Sequence, residues 1–106
     1  MIVVNRFRVP EPDGEAFRAA LQRALEALAA RPGYAGGTMG RNVDDPGLWV
    51  LATRWENVGS YRRALSSYEA KMHVQPLMVH AVDEPSAYEV VEEGTDLNEA
   101  QPRSIG

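Results

Sequence analysis

Residues 48–65 constrain the fold of this chain more than any other segment, because a strand pattern runs directly into a helix pattern. The apolar run 48–52 passes into polar alternation, which is typical of a central strand buried on both faces at one end. Asn57 then offers a helix N-cap. Beyond it, apolar side chains recur at steps of three and four, which predicts a helix that lies on a sheet through this stripe: Val58, Tyr61, Leu65, Tyr68 and Met72.

Four further patterns surround this segment. Residues 2–9 alternate as a strand, and residues 15–31 carry an apolar stripe opposite charged positions, which predicts a surface helix. Residues 34–41 predict a weaker strand whose glycines favour a bulge, and residues 84–91 predict the last strand. The Ser66-Ser67 pair predicts a kink or break in the second helix. The predicted order is therefore β-α-β-β-α-β.

This order indicates an α+β fold, a ferredoxin-like antiparallel sheet with both helices on one face. The other face, on which we expect Val3, Phe7 and alternate residues of the other strands, would expose a large apolar patch, which monomers rarely tolerate. We therefore expect two chains to pair into a dimeric α/β barrel, with a ligand cavity between sheet and helices or in the shared interior. Residues 1–93 are predicted to form this domain, and residues 94–106 a polar tail that packs on the partner chain.

Composition excludes several classes of protein. A formal charge of −4 over 106 residues argues against a dedicated nucleic-acid binder, and the absence of cysteine excludes disulfides, thiolate catalysis and cysteine-bound metals. No apolar run approaches a signal peptide or a membrane span, so a cytoplasmic protein without membrane contact is expected. The glycines fit no phosphate-binding motif, and the spacing of His73 and His80 around Pro76 is not a recurring metal-ligand pattern.

Asn5 is the anomaly of the first strand. It shares one face with the apolar side chains of Val3, Phe7 and Val9, although asparagine is depleted in strands. A buried amide requires hydrogen-bond partners, which the fold, water or a ligand could supply. Both a structural and a functional interpretation of Asn5 stay open at this point.

Three sequence motifs resemble the antibiotic biosynthesis monooxygenase family over residues 2–92. These are V-x-N-R-F-x-V in the first strand, A-R-P-G-Y-x-G before the second, and W-V-L-x-T-R-W-E-N-V-x-S-Y-R-R-A-L across the third strand and second helix. The resemblance implies a dimeric α+β barrel. The family includes cofactor-free oxygenases of polyphenolic polyketides, heme-degrading oxygenases and many members of unknown activity, so the resemblance implies a fold more securely than a reaction.

The heme-degrading branch of the family uses an asparagine on the first strand and a tryptophan and a heme-ligating histidine on the second helix. Asn5 and His73 match the asparagine and the histidine, but Ala64 stands at the tryptophan position. Alanine cannot distort a porphyrin as the tryptophan ring does. Heme binding through His73 stays open, whereas heme degradation by that mechanism is not expected.

In the cofactor-free branch the protein holds a desolvated phenolate beside hydrogen-bond donors while the anion passes an electron to O2. The resemblance implies Asn5 as amide donor and His73 as base. The expected substrate-binding residues, for several of which core packing is the alternative, are Phe7, Trp55 as ring wall and indole donor, Tyr61 and Tyr68. No cofactor and no metal are expected.

The resulting expectation is a homodimeric, cofactor-independent monooxygenase that acts on a small aromatic or polyphenolic substrate. Two alternatives stay open. One is a non-enzymatic dimeric module that binds heme or a small apolar ligand, and the other is a pseudo-enzyme that serves dimerisation alone.

Overall fold

The computed structural model describes residues 1–97, which form one sheet covered by helices. The elements in chain order are β1 (Ile2–Arg8), α1 (Gly14–Ala29), β2 (Tyr34–Arg41), β3 (Leu48–Trp55), α2 (Val58–Leu65), α3 (Tyr68–His73) and β4 (Ala87–Tyr88). Short 3-10 turns, Glu11–Asp13 and Gln75–His80, precede α1 and follow α3.

The four strands are ordered β2-β3-β1-β4, and every neighbouring pair is antiparallel. This arrangement confirms the predicted ferredoxin-like α+β fold. The register between β1 and β3 places Asn5 opposite Leu51 and Phe7 opposite Trp49. The register between β2 and β3 shifts between Tyr34 and Gly36, which confirms the bulge that the glycines predicted.

The hydrophobic core lies between one face of this sheet and the helices. Alternate strand positions point into it, as the pleat requires. The strand side of the core consists of Val3, Phe7, Trp49, Leu51 and Trp55, and the helix side consists chiefly of Phe17, Leu21, Ala24, Leu28, Ala64, Ala70 and Val74. The helices of the described chain all pack on this face, so that the opposite face, with Val4, Val50 and Ala52, receives no helix. The expected placement of Val3 and Phe7 on the uncovered face was wrong, because both are buried against the helices.

The second helix is divided, as the serine pair predicted. Helix α2 begins after Asn57, whose side chain accepts a hydrogen bond from the Ser60 amide at 2.8 Å, and it ends at Leu65. Ser67 then caps α3 by accepting from the Ala70 amide at 3.2 Å. Because the helix restarts here, a stripe extrapolated across the break need not stay on one face.

The predicted buried stripe of this helix was wrong, on α2 before the break as well as on α3 after it. Val58, Leu65, Tyr68 and Met72 are exposed, and Tyr61 is only half-buried. The positions that meet the core are small or lie past the break, namely Ser60, Ala64, Ala70 and Val74. Small side chains let these short helices approach the core closely, and the larger ones then face outward.

The last strand is shorter than predicted, with two paired residues instead of the range 84–91. The segment before it still follows β1, because the Val82 amide donates to the Arg6 carbonyl at 2.8 Å and the Val4 amide donates to the Ser86 carbonyl at 2.7 Å. Between these two hydrogen bonds the edge segment advances by four residues, from 82 to 86, whereas β1 covers two, from 4 to 6. The edge segment therefore bulges outward around Glu84. The Glu84 carboxylate is bound at both oxygens by the Arg6 guanidinium, at 2.6 and 2.7 Å.

Among the residues described here, no helix is long and apolar enough to cross a bilayer. The predicted packing of the tail 94–106 on a partner falls mostly on residues 98–106, which lie outside the described residues. The domain boundary at residue 93 stays a prediction.

Candidate functional site

A cavity of about 360 Å³ lies between β1, the two short helices and the edge segment that leads to β4. Its inner wall consists of buried or half-buried residues, namely Asn5, Tyr61, Ala70, Val74 and Ser86. Its rim consists of exposed residues, namely Leu65, Ser66, Lys71, Gln75 and Met78. The cavity is thus open at the helix surface and closed by the sheet at its inner end.

Asn5 and Tyr61 form a polar pair on the inner wall. The pleat of β1 directs Asn5 to the helix side of the sheet, and the first turns of α2 bring Tyr61 towards it. Burial raises the pKa of the Tyr61 phenol above its usual value of 10.0, and a hydrogen bond from Asn5 partly offsets this rise. The phenol is therefore protonated at neutral pH and can donate a hydrogen bond to a bound ligand.

Trp55 packs against Tyr61 and does not line the cavity. Its ring lies 5.6 Å from the Tyr61 ring and 5.4 Å from the Tyr34 ring, between centroids. The predicted use of its indole as a donor to substrate is not available in this geometry, because the indole donates to the Thr53 hydroxyl at 2.9 Å within the core. Trp55 fixes the orientation of Tyr61 by ring packing.

The structure brings Asn5 and Tyr61 together and places the other predicted site residues elsewhere. Phe7 is 1% exposed and packs against Phe17 in the core, and Tyr68 is 69% exposed on α3. His73 is half-buried at the end of α3, but it is not among the residues that line the cavity. The roles predicted for Phe7, Tyr68 and His73 stay predictions.

Sequence reasoning missed most of the lining, although a signal for it was present. Five lining residues recur along α3 and the following turn with a helical spacing, namely Ala70, Lys71, Val74, Gln75 and Met78. Pro76 is incompatible with the interior of a regular α-helix, and the structure continues the chain past α3 as a 3-10 helix, which keeps these residues on one side. The backbone bulge at the sheet edge added Ser86, which no local pattern indicates.

The cavity walls combine apolar side chains with a few polar groups. Within the described chain, the titratable groups of the lining are Tyr61 and Lys71, and no carboxylate or imidazole is among them. Such a lining suits a small, largely apolar ligand that places a polar atom against Asn5 and Tyr61. In residues 1–97 no three histidine or acidic side chains form a group that could hold a metal ion.

Heme, which the family resemblance leaves possible, does not fit the arrangement of these residues. The histidine that would ligate the iron, His73, does not line the cavity. Ala64, at the position of the porphyrin-distorting tryptophan, is 1% exposed and packs in the core. Neither residue is placed to hold or bend a porphyrin beside Asn5.

The family model for antibiotic biosynthesis monooxygenases matches residues 1–76 of the chain. No curated protein is significantly similar to it in sequence. SnoaB from Streptomyces nogalater, a cofactor-independent oxygenase, superposes with a TM-score of 0.71 at 22% identity, covering 86% of this chain and 92% of SnoaB. A conserved protein from Methanosarcina mazei Go1 superposes with a TM-score of 0.68 at 16% identity, covering 81% and 84% of the two chains. At these identities the likeness establishes a shared fold.

Proposed function

Because the chain belongs to the antibiotic biosynthesis monooxygenase family, we propose that it is a monooxygenase that needs no dedicated cofactor. The proposed substrate is a small aromatic or polyphenolic molecule bound in the Asn5–Tyr61 cavity. The observation that carries this proposal is that the polar side chains of Asn5 and Tyr61 both line the inner wall of a largely apolar cavity. The description of SnoaB as a cofactor-independent oxygenase supports it.

The proposed reaction begins with the phenolate form of the substrate. The phenolate oxygen accepts hydrogen bonds from Asn5 and Tyr61, while Leu65, Val74 and Met78 exclude water from the ring. The anion passes one electron to O2, and the two radicals combine at a ring carbon. For an anthrone, loss of water from the resulting peroxide gives the anthraquinone, so that one oxygen atom enters the product and the other leaves in water.

The proton of the phenol leaves to solvent in this proposal. The lining holds no carboxylate or imidazole among the described residues, and Tyr61 is itself protonated at neutral pH. His73, the predicted base, lies outside the lining. The cavity therefore suits substrates that are acidic enough to ionise near neutral pH without a general base.

Oxygen uptake with a hydroxylated anthrone tests the proposal. We expect uptake above the spontaneous rate, with formation of the quinone followed by absorbance. Asn5→Ala should lower kcat by about 10²-fold, the usual loss when one donor to a developing anion is removed. Tyr61→Phe should lower it as well, whereas Tyr88→Phe, an exposed tyrosine on β4, should not. Uptake by the wild-type protein no faster than the spontaneous rate would overturn the proposal.

A non-enzymatic binding module is the second candidate function. The lack of a proton acceptor in the described lining favours it, because binding needs donors and apolar walls but no base. Calorimetry with a hydroxynaphthalene separates the two functions. Tight binding that depends on Asn5, without oxygen uptake on anthrones, would favour the binding module.

We also propose that the protein acts as a homodimer in the cytoplasm. The sheet face opposite the helices receives no helix from the described chain, and Val4, Val50 and Ala52 form an apolar centre on it. Packing two such faces together would remove this surface from water. The cavity lies on the helix side of the sheet, so each chain would keep its own site.

A further inference from the structure

Lys71 is the single lysine of the chain. The other basic side chains, ten of the 11, are arginines. Lys71 lies on α3 and lines the rim of the cavity, opposite the inner wall that holds Asn5 and Tyr61. The chain thus places its one flexible, compact cation at the mouth of its candidate site.

The charge of Lys71 has no counter-ion in the described chain. Its ammonium group takes part in none of the ion pairs or side-chain hydrogen bonds of residues 1–97. The other lining residues carry no formal charge at neutral pH. Glu69 lies two residues earlier on the same helix, a spacing at which side chains do not face each other, and it does not line the cavity.

The mouth of the cavity is therefore locally positive on a chain whose net charge is −4. Gln75 follows Lys71 after about one helical turn and also lines the rim, so that its amide can add a neutral donor beside the ammonium. Two neighbouring donors with one positive charge match a carboxylate, which accepts at two oxygens with one negative charge. A phosphate dianion would require a second cation, and the lining offers none among the described residues.

We infer that the cavity selects aromatic ligands that carry a carboxylate at the end of the molecule remote from the phenol. The carboxylate binds Lys71 and Gln75 at the rim, the ring packs against Val74 and Met78, and the phenol oxygen reaches Asn5 and Tyr61. Lys71 is a specificity-determining residue in this arrangement. The inference names the substrate class of the proposed monooxygenase and rests on that function for turnover, but not for binding.

Calorimetric titration with two matched ligands tests the inference. One ligand is a hydroxynaphthoate, with its hydroxyl and carboxylate at opposite ends of the naphthalene, and the other is the corresponding neutral hydroxynaphthamide. We expect the wild-type protein to bind the acid about five- to tenfold more tightly than the amide, as a partly exposed charged hydrogen bond allows. Lys71→Met should abolish this preference, because it weakens binding of the acid more than binding of the amide, whereas Lys71→Arg should retain it.

Arg62→Met is the matched control. It removes one positive charge from an exposed position on α2 that does not line the cavity, so it changes the net charge equally. It should leave the preference for the acid intact. A loss of preference in Arg62→Met comparable to that in Lys71→Met would overturn the inference, because the effect would then reflect the net charge of the protein.

Chemical protection gives a second measurement on the wild-type protein. Because Lys71 is the single lysine, acetylation by acetic anhydride reports on it directly when its peptide is followed by mass spectrometry. Saturating hydroxynaphthoate should slow its acetylation several-fold, and hydroxynaphthamide should not. Equal protection by both ligands, or by neither, would overturn the inference.

The failures of the two proposals are distinguishable. A carboxylate preference that depends on Lys71 without any oxygen uptake would retain the inference and overturn the monooxygenase. Oxygen uptake with equal kcat/KM for anthrones with and without a carboxylate would retain the monooxygenase and overturn the inference. Failure of both naphthalene ligands to bind would also overturn it.

Discussion

Asn5 shows how one polar residue on a core-facing strand position becomes part of a site. Its neighbours on that face, Val3 and Phe7, are buried in the core, whereas Asn5 is half-buried and lines the cavity. Tyr61 gives its amide a partner from another element. The sequence identified the anomaly, but the partner lies 56 positions away and could not be found by local pattern.

The ionisation of Tyr61 predicts how stability depends on pH. Burial raises its pKa in the folded protein above the usual 10.0, so the contribution of the neutral phenol is fully present below pH 10 and is lost as the pH rises through the folded-state value. Tyr61→Phe should therefore weaken the fall in the free energy of unfolding as the pH rises above 10. Urea unfolding at a series of pH values measures this fall.

Tyr88→Phe provides the comparison for this experiment, because Tyr88 is half exposed on the edge strand and its variant should retain the wild-type slope. If Tyr61→Phe and Tyr88→Phe show the same dependence on alkaline pH, burial of the Tyr61 phenol is not what sets the slope.

At the scale of elements, the junctions between helices and strands determine where the cavity lies. The turn after α1 meets the turn after β3, because the Glu56 amide donates to the Gly33 carbonyl at 2.8 Å. Gly33 has a φ of 87°, and its α-carbon lies against the buried Ser60 of α2. The start of α2, and with it Tyr61, is thus fixed against the A-R-P-G-Y motif.

Gly33→Ala should therefore destabilise the protein by about 2–4 kcal/mol, since a Cβ there would overlap the Ser60 side chain in addition to the backbone strain. Gly94→Ala is the matched control. Gly94 has a similar φ of 83°, and a Cβ at this position would meet no other atom within 4 Å, so the substitution should cost only about 1 kcal/mol. Chemical denaturation measures the free energy of unfolding of the two variants. Equal losses would show that the close packing of Gly33 against Ser60 of α2 does not contribute to stability.

The whole molecule has one sheet face covered by helices and one that no described helix covers. Val4 and Val50 lie on the uncovered face, and Arg6, on the same strand face, is held at the sheet edge by Glu84. The ion pair keeps the pKa of Glu84 below its usual value. Because the centre of this face is apolar and its edge is charged, its pattern suits a specific contact with a second copy.

We expect the wild-type protein to sediment at twice its chain mass of 11.7 kDa. Val50→Glu should produce monomers at micromolar concentration, because an unpaired carboxylate buried at such an interface costs several kcal/mol in each chain. Val79→Glu introduces the same charge at an 82% exposed position on the helix side and should leave the dimer intact. Analytical ultracentrifugation decides the question, and a dimeric Val50→Glu would place the interface elsewhere.

The sequence by itself determined the elements, their order and the ferredoxin-like sheet, because strand and helix periodicities are local and the pleat fixes which residues share a face. It also marked Asn5 as exceptional and Ser66-Ser67 as a helix break. Only the tertiary structure decided what faces the cavity. The orientation of α3 after the break leaves Tyr68 exposed and places Lys71 at the rim of the cavity. The indole N–H of Trp55 donates to the Thr53 hydroxyl in the core and so does not reach the cavity. These outcomes depend on contacts between distant segments, where packing overrides the local pattern.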